Sequence, residues 1–383
     1  MAPHPSRQED WKARCSRGIL SQQEQSAMPT PRPAHGSSRP ATGRRFSLRT
    51  FLLFLSTLTL LASCGDQLST NRPYILTTAT AGGAFYPIGV AMATISKSQL
   101  QPEHNISISA ISSAGSLENV KLLRDNEAQF GILQGIFAAW AWDGEGPIRN
   151  PQTNMRSVSA LWFNVEHFVL LSSLVHDGTL SDLGHLNGER FVLGARNSGA
   201  EQSGRFILET LGIDYESGMN LAYMGYEGAA SALQDGNVVG MNVPAGAPTA
   251  AITQAFAQLG DRITLLRFSQ EELDRLNSRY NLWDWYDFPV GTYPNQEEPW
   301  RSIASPNVLV ARADVPDEVV YRITKMIWEN LGTLQEIHAA TKDMDINRAL
   351  RGMVAPLHPG ALRYYREIGL EIPPHLIQEE PAR

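Results

Sequence analysis

The chain predicts a two-lobed α/β fold, and three observations predict it. From Tyr74 onward, short apolar runs of strand length alternate with stretches of helical period. The order of elements between Tyr74 and Leu133 recurs between Phe191 and Val243. In both copies the first strand runs into a small-residue turn that opens a helix. Such alternation argues for mostly parallel sheets, whose ligands sit beyond the carboxyl ends of the strands. Two modules of this kind facing each other aim four loop-to-helix N-termini into one cleft.

Residues 1–63 differ in kind from the rest. They are rich in Pro, Ser and Arg to Arg49, apolar from Phe51 to Ala62, and end in Leu61-Ala62-Ser63-Cys64-Gly65. A basic flank, a short apolar run and small residues before a cut describe a secretory signal peptide, too short to span a bilayer. The Leu-Ala-Ser-Cys string resembles a bacterial lipobox, which implies that Cys64 becomes the lipidated first residue, followed by a tether over 64–70. The expectation is release of a Cys64→Ser protein from the membrane fraction, because lipid chains and not the leader hold it there. The leader carries nine Lys/Arg and three Asp/Glu, leaving 23 basic against 36 acidic residues in the mature chain. Nucleic acid is therefore excluded as a partner. Cys15 lies in the leader, so the mature chain keeps only Cys64 and has no disulfide.

The first module reads strand Tyr74–Thr78, the turn Thr80-Ala81-Gly82-Gly83-Ala84-Phe85-Tyr86-Pro87, a helix from Ile88 to Leu100, strand Ile106–Ile111, a Gly115-Ser116 turn, a helix ending Leu122-Leu123, and strand Phe130–Leu133. Glycines let the main chain approach a ligand, and Pro87 suits a first helical turn because its missing N–H has no intrahelical partner there. A strand that runs through such a turn into a helix leaves N–H groups pointing forward, an anion site made of backbone. Taken alone the stretch also reads as a plain strand-to-helix turn. Strands at Ala160–Phe163 and His167–Leu171 precede the second copy: strand Phe191–Ala195, the turn Asn197-Ser198-Gly199, a helix from Gly204 to Leu211, strand Leu221–Tyr223, a Tyr226-Glu227-Gly228 turn and strand Val238–Val243. Strands at Ile263–Phe268 and Asn307–Val310 follow, and Pro316 opens a structural helix stopped by Gly332. Trp283-Asp284-Trp285-Tyr286 reads as a packed connector or a partner surface.

Catalytic signatures are missing. There is no Gly-x-Ser-x-Gly elbow, no His-Glu-x-x-His or paired zinc spacing, and no Gly-x-Gly-x-x-Gly at the first turn. Asp343-Met-Asp345-Ile-Asn347 starts like a calcium loop, but Arg348 stands where the glycine belongs and Val354 where the bidentate Glu belongs. No cofactor and no metal is expected, and the protein reads as a non-enzyme.

Seven motifs in order carry a family resemblance: Gly82-Gly83-Ala84-Phe85-Tyr86-Pro87-Ile88-Gly89, Gly115-Ser116-Leu117-Glu118-Asn119, Gly131-Ile132-Leu133-Gln134, Gly194 with Ser198-Gly199, Gly246-Ala247-Pro248-Thr249, Gly291-Thr292-Tyr293-Pro294, and Pro356 to Ala361 with Tyr364-Tyr365. On these the chain resembles the TAXI-type solute-binding proteins, extracytoplasmic receptors of tripartite ATP-independent periplasmic (TRAP) transporters. The resemblance implies a type II periplasmic-binding fold, with lobe I at 71–164 and 269–383 and lobe II at 165–268. It implies a periplasmic lipoprotein that captures a small carboxylate, a glutamate-like amino acid or a dicarboxylate, and hands it to a membrane permease. The alternatives are an enzyme on a two-lobed fold and a ligand-sensing lipoprotein without transport. The expected ligand site is Gly83, Ala84, Phe85, Tyr86, Ser113, Ser116, Gln134, Asn197, Ser198, Gly199, Tyr226 and Pro248. Tyr293 is a candidate cap, and Arg196 either a clamp or a solvated side chain beside the turn.

Overall fold

The structure is a computed structural model that describes residues 72–80 and 83–378. Cys64, the leader, Ala81 and Gly82 lie outside the described residues. Two sheets organise the chain from Thr70 onward. In the first, β1 (Tyr74–Thr77) lies between β2 (Ile108–Ile111) and β3 (Phe130–Gln134), all parallel. Long β11 (Trp300–Arg312) runs antiparallel to β3, to β4 (Met155–Val165) and to β10 (Asp284–Phe288). The second sheet has the order β7 (Asn220–Tyr223), β6 (Arg190–Gly194), β8 (Gly240–Asn242), β5 (Phe168–Leu171), β9 (Ile263–Leu265). There too β6 is parallel to β7 and β8, and β5 is antiparallel to β8. Each sheet thus carries three parallel strands in the order second, first, third, with an antiparallel neighbour beside the third. That is the strand order of the two-lobed type II periplasmic-binding fold.

The sequence forms these elements for ordinary reasons. All five residues of β3 are buried, as a central parallel strand covered on both faces requires. Helix α1 (Phe85–Gln99) buries Phe85, Ile88, Met92 and Ile95 at three- and four-residue spacing. Its Gly89 lies so close to β1 that a Cβ would sit 2.5 Å from the Thr78 methyl. The other helices that matter below are α2 (Ser116–Arg124), α3 (Gly135–Asp143), α4 (Gly199–Leu211), α5 (Tyr226–Gln234), α6 (Ala250–Leu259), α7 (Gln270–Leu276), α8 (Asp317–Glu329), α9 (Leu331–Ile337) and α10 (Pro359–Glu367).

Two expectations need correction. The helix opened by Pro316 does not stop at Gly332: it ends at Glu329, and Gly332 lies inside α9. Asn330 is the reason, because its side-chain amide donates to the Met326 carbonyl at 2.8 Å and its backbone leaves the helical region. The segment around Trp285 is not an irregular connector: Trp283 is packed, and Asp284–Phe288 form β10, an edge strand in register with Trp300–Ala304. Its alternation of aromatic and acidic residues hid the strand period.

Between β4 and β5 the chain passes from one sheet to the other through Glu166 and His167. The Glu166 N–H donates to Ile303 on β11 at 3.0 Å, and Ser302 Oγ donates to the Glu166 carbonyl at 2.6 Å. The Glu166 carboxyl meanwhile accepts from Asn242 Nδ2 on β8 at 2.9 Å. His167 Nδ1 lies 2.8 Å from the Val243 carbonyl and its Nε2 2.7 Å from the Tyr293 hydroxyl. One dipeptide is thereby tied to both sheets. The chain returns through α7, which starts with a capping box between Ser269 and Glu272. Among the described residues no helix is long and apolar enough to cross a membrane.

Candidate functional site

Four helices from the two sheets begin at one cavity of about 130 Å³. From the first sheet's side come Gly83, Ala84 and Phe85 at the start of α1, and Gly115 and Ser116 at the start of α2. From the second come Ser198, Gly199 and Ala200 at the start of α4, and Gly225 and Tyr226 at the start of α5. Three of these helices, α1, α2 and α5, start without a side-chain cap, so their first N–H groups keep hydrogen-bonding capacity at the positive end of a helix dipole. Among the described residues, none that lines the cavity is charged. A group that accepts hydrogen bonds and carries negative charge is what such a wall can hold.

The two walls touch. A Cβ built on Gly199 would lie 3.4 Å from the Ser116 amide nitrogen and 3.5 Å from the Ser116 side chain. A Cβ there would be in ordinary van der Waals contact, so the turns of the two sheets approach edge to edge with little room for a larger side chain at 199.

Of the expected residues, Gly83, Ala84, Phe85, Ser116, Gln134, Ser198, Gly199 and Tyr226 line the cavity. Ser198 caps α4, its Oγ accepting from the Glu201 N–H at 3.2 Å. Ser116 Oγ accepts from the Gln134 N–H at 3.0 Å, joining α2 to β3. Tyr226 donates its hydroxyl to the Pro244 carbonyl at 2.9 Å, and burial together with the nearby Glu166 pushes its pKa up.

The other four do not line the cavity. Ser113 is spent inside the turn, donating to Asn119 Oδ1 and accepting from the Gly115 N–H at 2.9 Å. Asn197 is exposed at φ +60°, and its N–H donates to Glu201. Tyr86 is not on the wall, and Pro248, which follows a cis peptide bond, is replaced there by Gly246. Tyr293 is buried behind the wall against His167, and exposed Arg196 stacks 3.9 Å over the Tyr223 ring. Neither reaches the cavity.

Sequence reasoning missed Asn164, Pro244, Ala245 and Gly246, all of which line it. A polar residue directly after the apolar run Ala160–Phe163, read as a strand, was the available signal for Asn164. Behind this side of the cavity Glu166 is fully buried, and desolvation, opposed by its Asn242 hydrogen bond, pushes its pKa up to about 7. Burial lowers His167 to about 4. Among the described residues no group of three or more His, Cys, Asp or Glu is placed to hold a metal ion.

The structure is similar to several solved ones at low identity. One is the periplasmic aliphatic sulphonate binding protein of Escherichia coli, 14% identical over 78% of this chain and 80% of that one, with a TM-score of 0.41. Another is the GluR0 ligand-binding core from Nostoc punctiforme in complex with L-glutamate, 11% identical over 71% and 100%, TM-score 0.43. A third is PhnD1 from Prochlorococcus marinus in complex with methylphosphonate, 12% identical over 78% and 99%, TM-score 0.43. The family model of the NMT1-like family matches residues 76–369, from β1 through α10, a span that takes in both sheets and every wall of the cavity. The chain belongs to the NMT1-like family.

Proposed function

We propose that the protein is an extracytoplasmic solute receptor that captures a small carboxylate, a glutamate-like amino acid or a dicarboxylate, and delivers it to a TRAP-type membrane permease. In this reading lobe I comprises 71–164 and 269–383, lobe II comprises 165–268, and the two close on the ligand. The protein is secreted to the periplasm and held at the membrane by lipid on Cys64. The observation that carries the reading is the meeting of four helix N-termini at one cavity without a charged wall residue among the described residues. Each N-terminus stabilises a nearby anion by roughly 0.3–1 kcal/mol, so four contribute about 1–4 kcal/mol toward a carboxylate's lost hydration, and hydrogen bonds from the free N–H groups must supply the rest.

The experiment is mass spectrometry of what stays bound after incubation with pooled amino and dicarboxylic acids, followed by calorimetry on each hit. Retention of a small carboxylate at micromolar affinity is expected. Retention of only uncharged or cationic compounds would sink the anion reading. Uptake of the same compound by cells carrying the receptor with its permease, and not by cells lacking the receptor, tests delivery. Fractionation of the Cys64→Ser protein tests the anchor, with release from membranes expected.

A further inference from the structure

Two buried amides, one on the cavity wall and one across a strand pair from it, carry polar atoms without a partner among the described residues. Asn307 on β11 is fully buried, and neither its Oδ1 nor its Nδ2 has a hydrogen-bond partner. Directly opposite it in the antiparallel register stands Gln134 at the end of β3, 5% exposed, whose Oε1 is also unpartnered. Side chains directly opposed in an antiparallel pair share a face and have Cβ atoms about 4.5–5.5 Å apart. Gln134 is itself part of the cavity wall, and the same strand β11 pairs Ser305 with Asn164, another wall residue. One orphaned amide, Gln134, thus stands on the wall of a cavity ringed by helix N-termini, and the other, Asn307, is its register partner on the neighbouring strand. Buried polar atoms without partners are rare in folded proteins and costly to keep. Three on one cross-strand pair beside a ligand cavity point to a partner that arrives with the ligand.

We infer that Gln134 and Asn307 form a hydroxyl-recognition subsite, and that the carboxylate held at the helix N-termini is a short hydroxy acid. The inference rests on the anion reading of the cavity and narrows it. The pair offers two acceptors, Gln134 Oε1 and Asn307 Oδ1, and one donor, Asn307 Nδ2. A hydroxyl both donates and accepts, so one group can accept from Asn307 Nδ2 and donate to one of the two oxygens. An ammonium brings three donors and a charge, and no acidic side chain among the described residues lines the cavity to receive it. A bare methylene satisfies none of the three atoms. The cavity volume of about 130 Å³, roughly four times a water's share of liquid volume, suits a short acid.

The test uses two matched triplets as probes: propionate, lactate and alanine, then succinate, malate and aspartate. Within each triplet one hydrogen is exchanged for a hydroxyl or an ammonium. Calorimetry on the full chain should show, in at least one triplet, the hydroxy member binding about tenfold or more tighter than both companions. In Asn307→Leu that preference should shrink to about threefold or less, with an unchanged or raised melting temperature, because the amide it removes has no partner in the unliganded fold. Gln134→Met, which keeps the backbone bond to Ser116, should give the same loss and serves if Asn307→Leu does not fold. Equal binding of the hydroxy acid and its deoxy analogue by the wild type would overturn the subsite while leaving the anion site standing. A preference that survives both substitutions would do the same. Failure of all six compounds to bind would remove the anion reading and the subsite with it.

Discussion

Ser198 does two things at once, and substitutions can separate them. As the cap of α4 its Oγ accepts from the Glu201 N–H, and as a wall residue it faces the cavity. Ser198→Ala should cost about 1 kcal/mol of stability through the lost cap, in addition to weakening carboxylate binding. Ser198→Asp keeps a good cap but sets a negative charge among the helix N-termini. Denaturant unfolding should show it close to wild type, and calorimetry should show binding of a carboxylate weakened at least about a hundredfold. Normal carboxylate binding by Ser198→Asp would place the anion elsewhere. The pair Glu166 and His167 makes a second prediction. Glu166, raised to about 7 from 4.5, binds its proton more tightly folded than unfolded, so its contribution to stability is full below 4.5 and is lost as pH rises toward 7, about 3 kcal/mol in all. His167, lowered to about 4 from 6.5, contributes stability that is full above 6.5 and is lost as pH falls toward 4. The two slopes oppose each other between pH 4.5 and 6.5. Glu166→Gln should expose the histidine slope, so that stability climbs with pH across that window more steeply than in wild type; a curve parallel to wild type in urea titrations would refute the assignment. Polar residues at turns were readable as such from the sequence, yet Ser113 and Asn197 showed that a turn often consumes its own donors, and nothing in residue type tells which will be left over.

The helix starts are what the sequence showed best at the level of elements. Small residues followed by a helical period marked α1, α2, α4 and α5, although the sequence reads α1 from Ile88 and it begins at Phe85, and reads α4 from Gly204 and it begins at Gly199. Less legible was β10, where aromatic and acidic residues alternate on an edge strand and neither face is strongly apolar. The early end of α8 was equally hidden, since it depends on one asparagine side chain turning back onto a carbonyl. The contact between α2 and α4 yields a prediction of its own. Gly199→Val places a branched side chain where a Cβ already lies 3.4 Å from Ser116, and the turns must part to admit it. The variant should fold, because the position opens a helix at an allowed backbone geometry, but its affinity should fall about tenfold or more. Small-angle scattering should show it more expanded than wild type with ligand present. An unchanged affinity and radius would mean the turns need not meet for binding.

At the scale of the molecule, two similar modules in one chain were visible in the sequence as a repeated order of elements, and the sheet orders explain why they repeat. What the sequence did not reveal is which strand finishes the first sheet. Strand β11 lies between β3 and β4 and also carries β10, yet it comes after the whole second sheet in the chain. The register partners Gln134 and Asn307 meet across more than 170 intervening positions. A chain emerging from its N-terminus therefore has every strand of the second sheet in hand before the first sheet can close. Until β11 arrives, β3 and β4 each have an edge waiting. Under the proposal that residues 1–63 are a secretory leader, this ordering would keep the first sheet unfinished until β11 has been made, a state suited to passage through a translocation channel. In refolding experiments with pulsed hydrogen exchange, amides of β6 and β8 should become protected before those of β3 and β11.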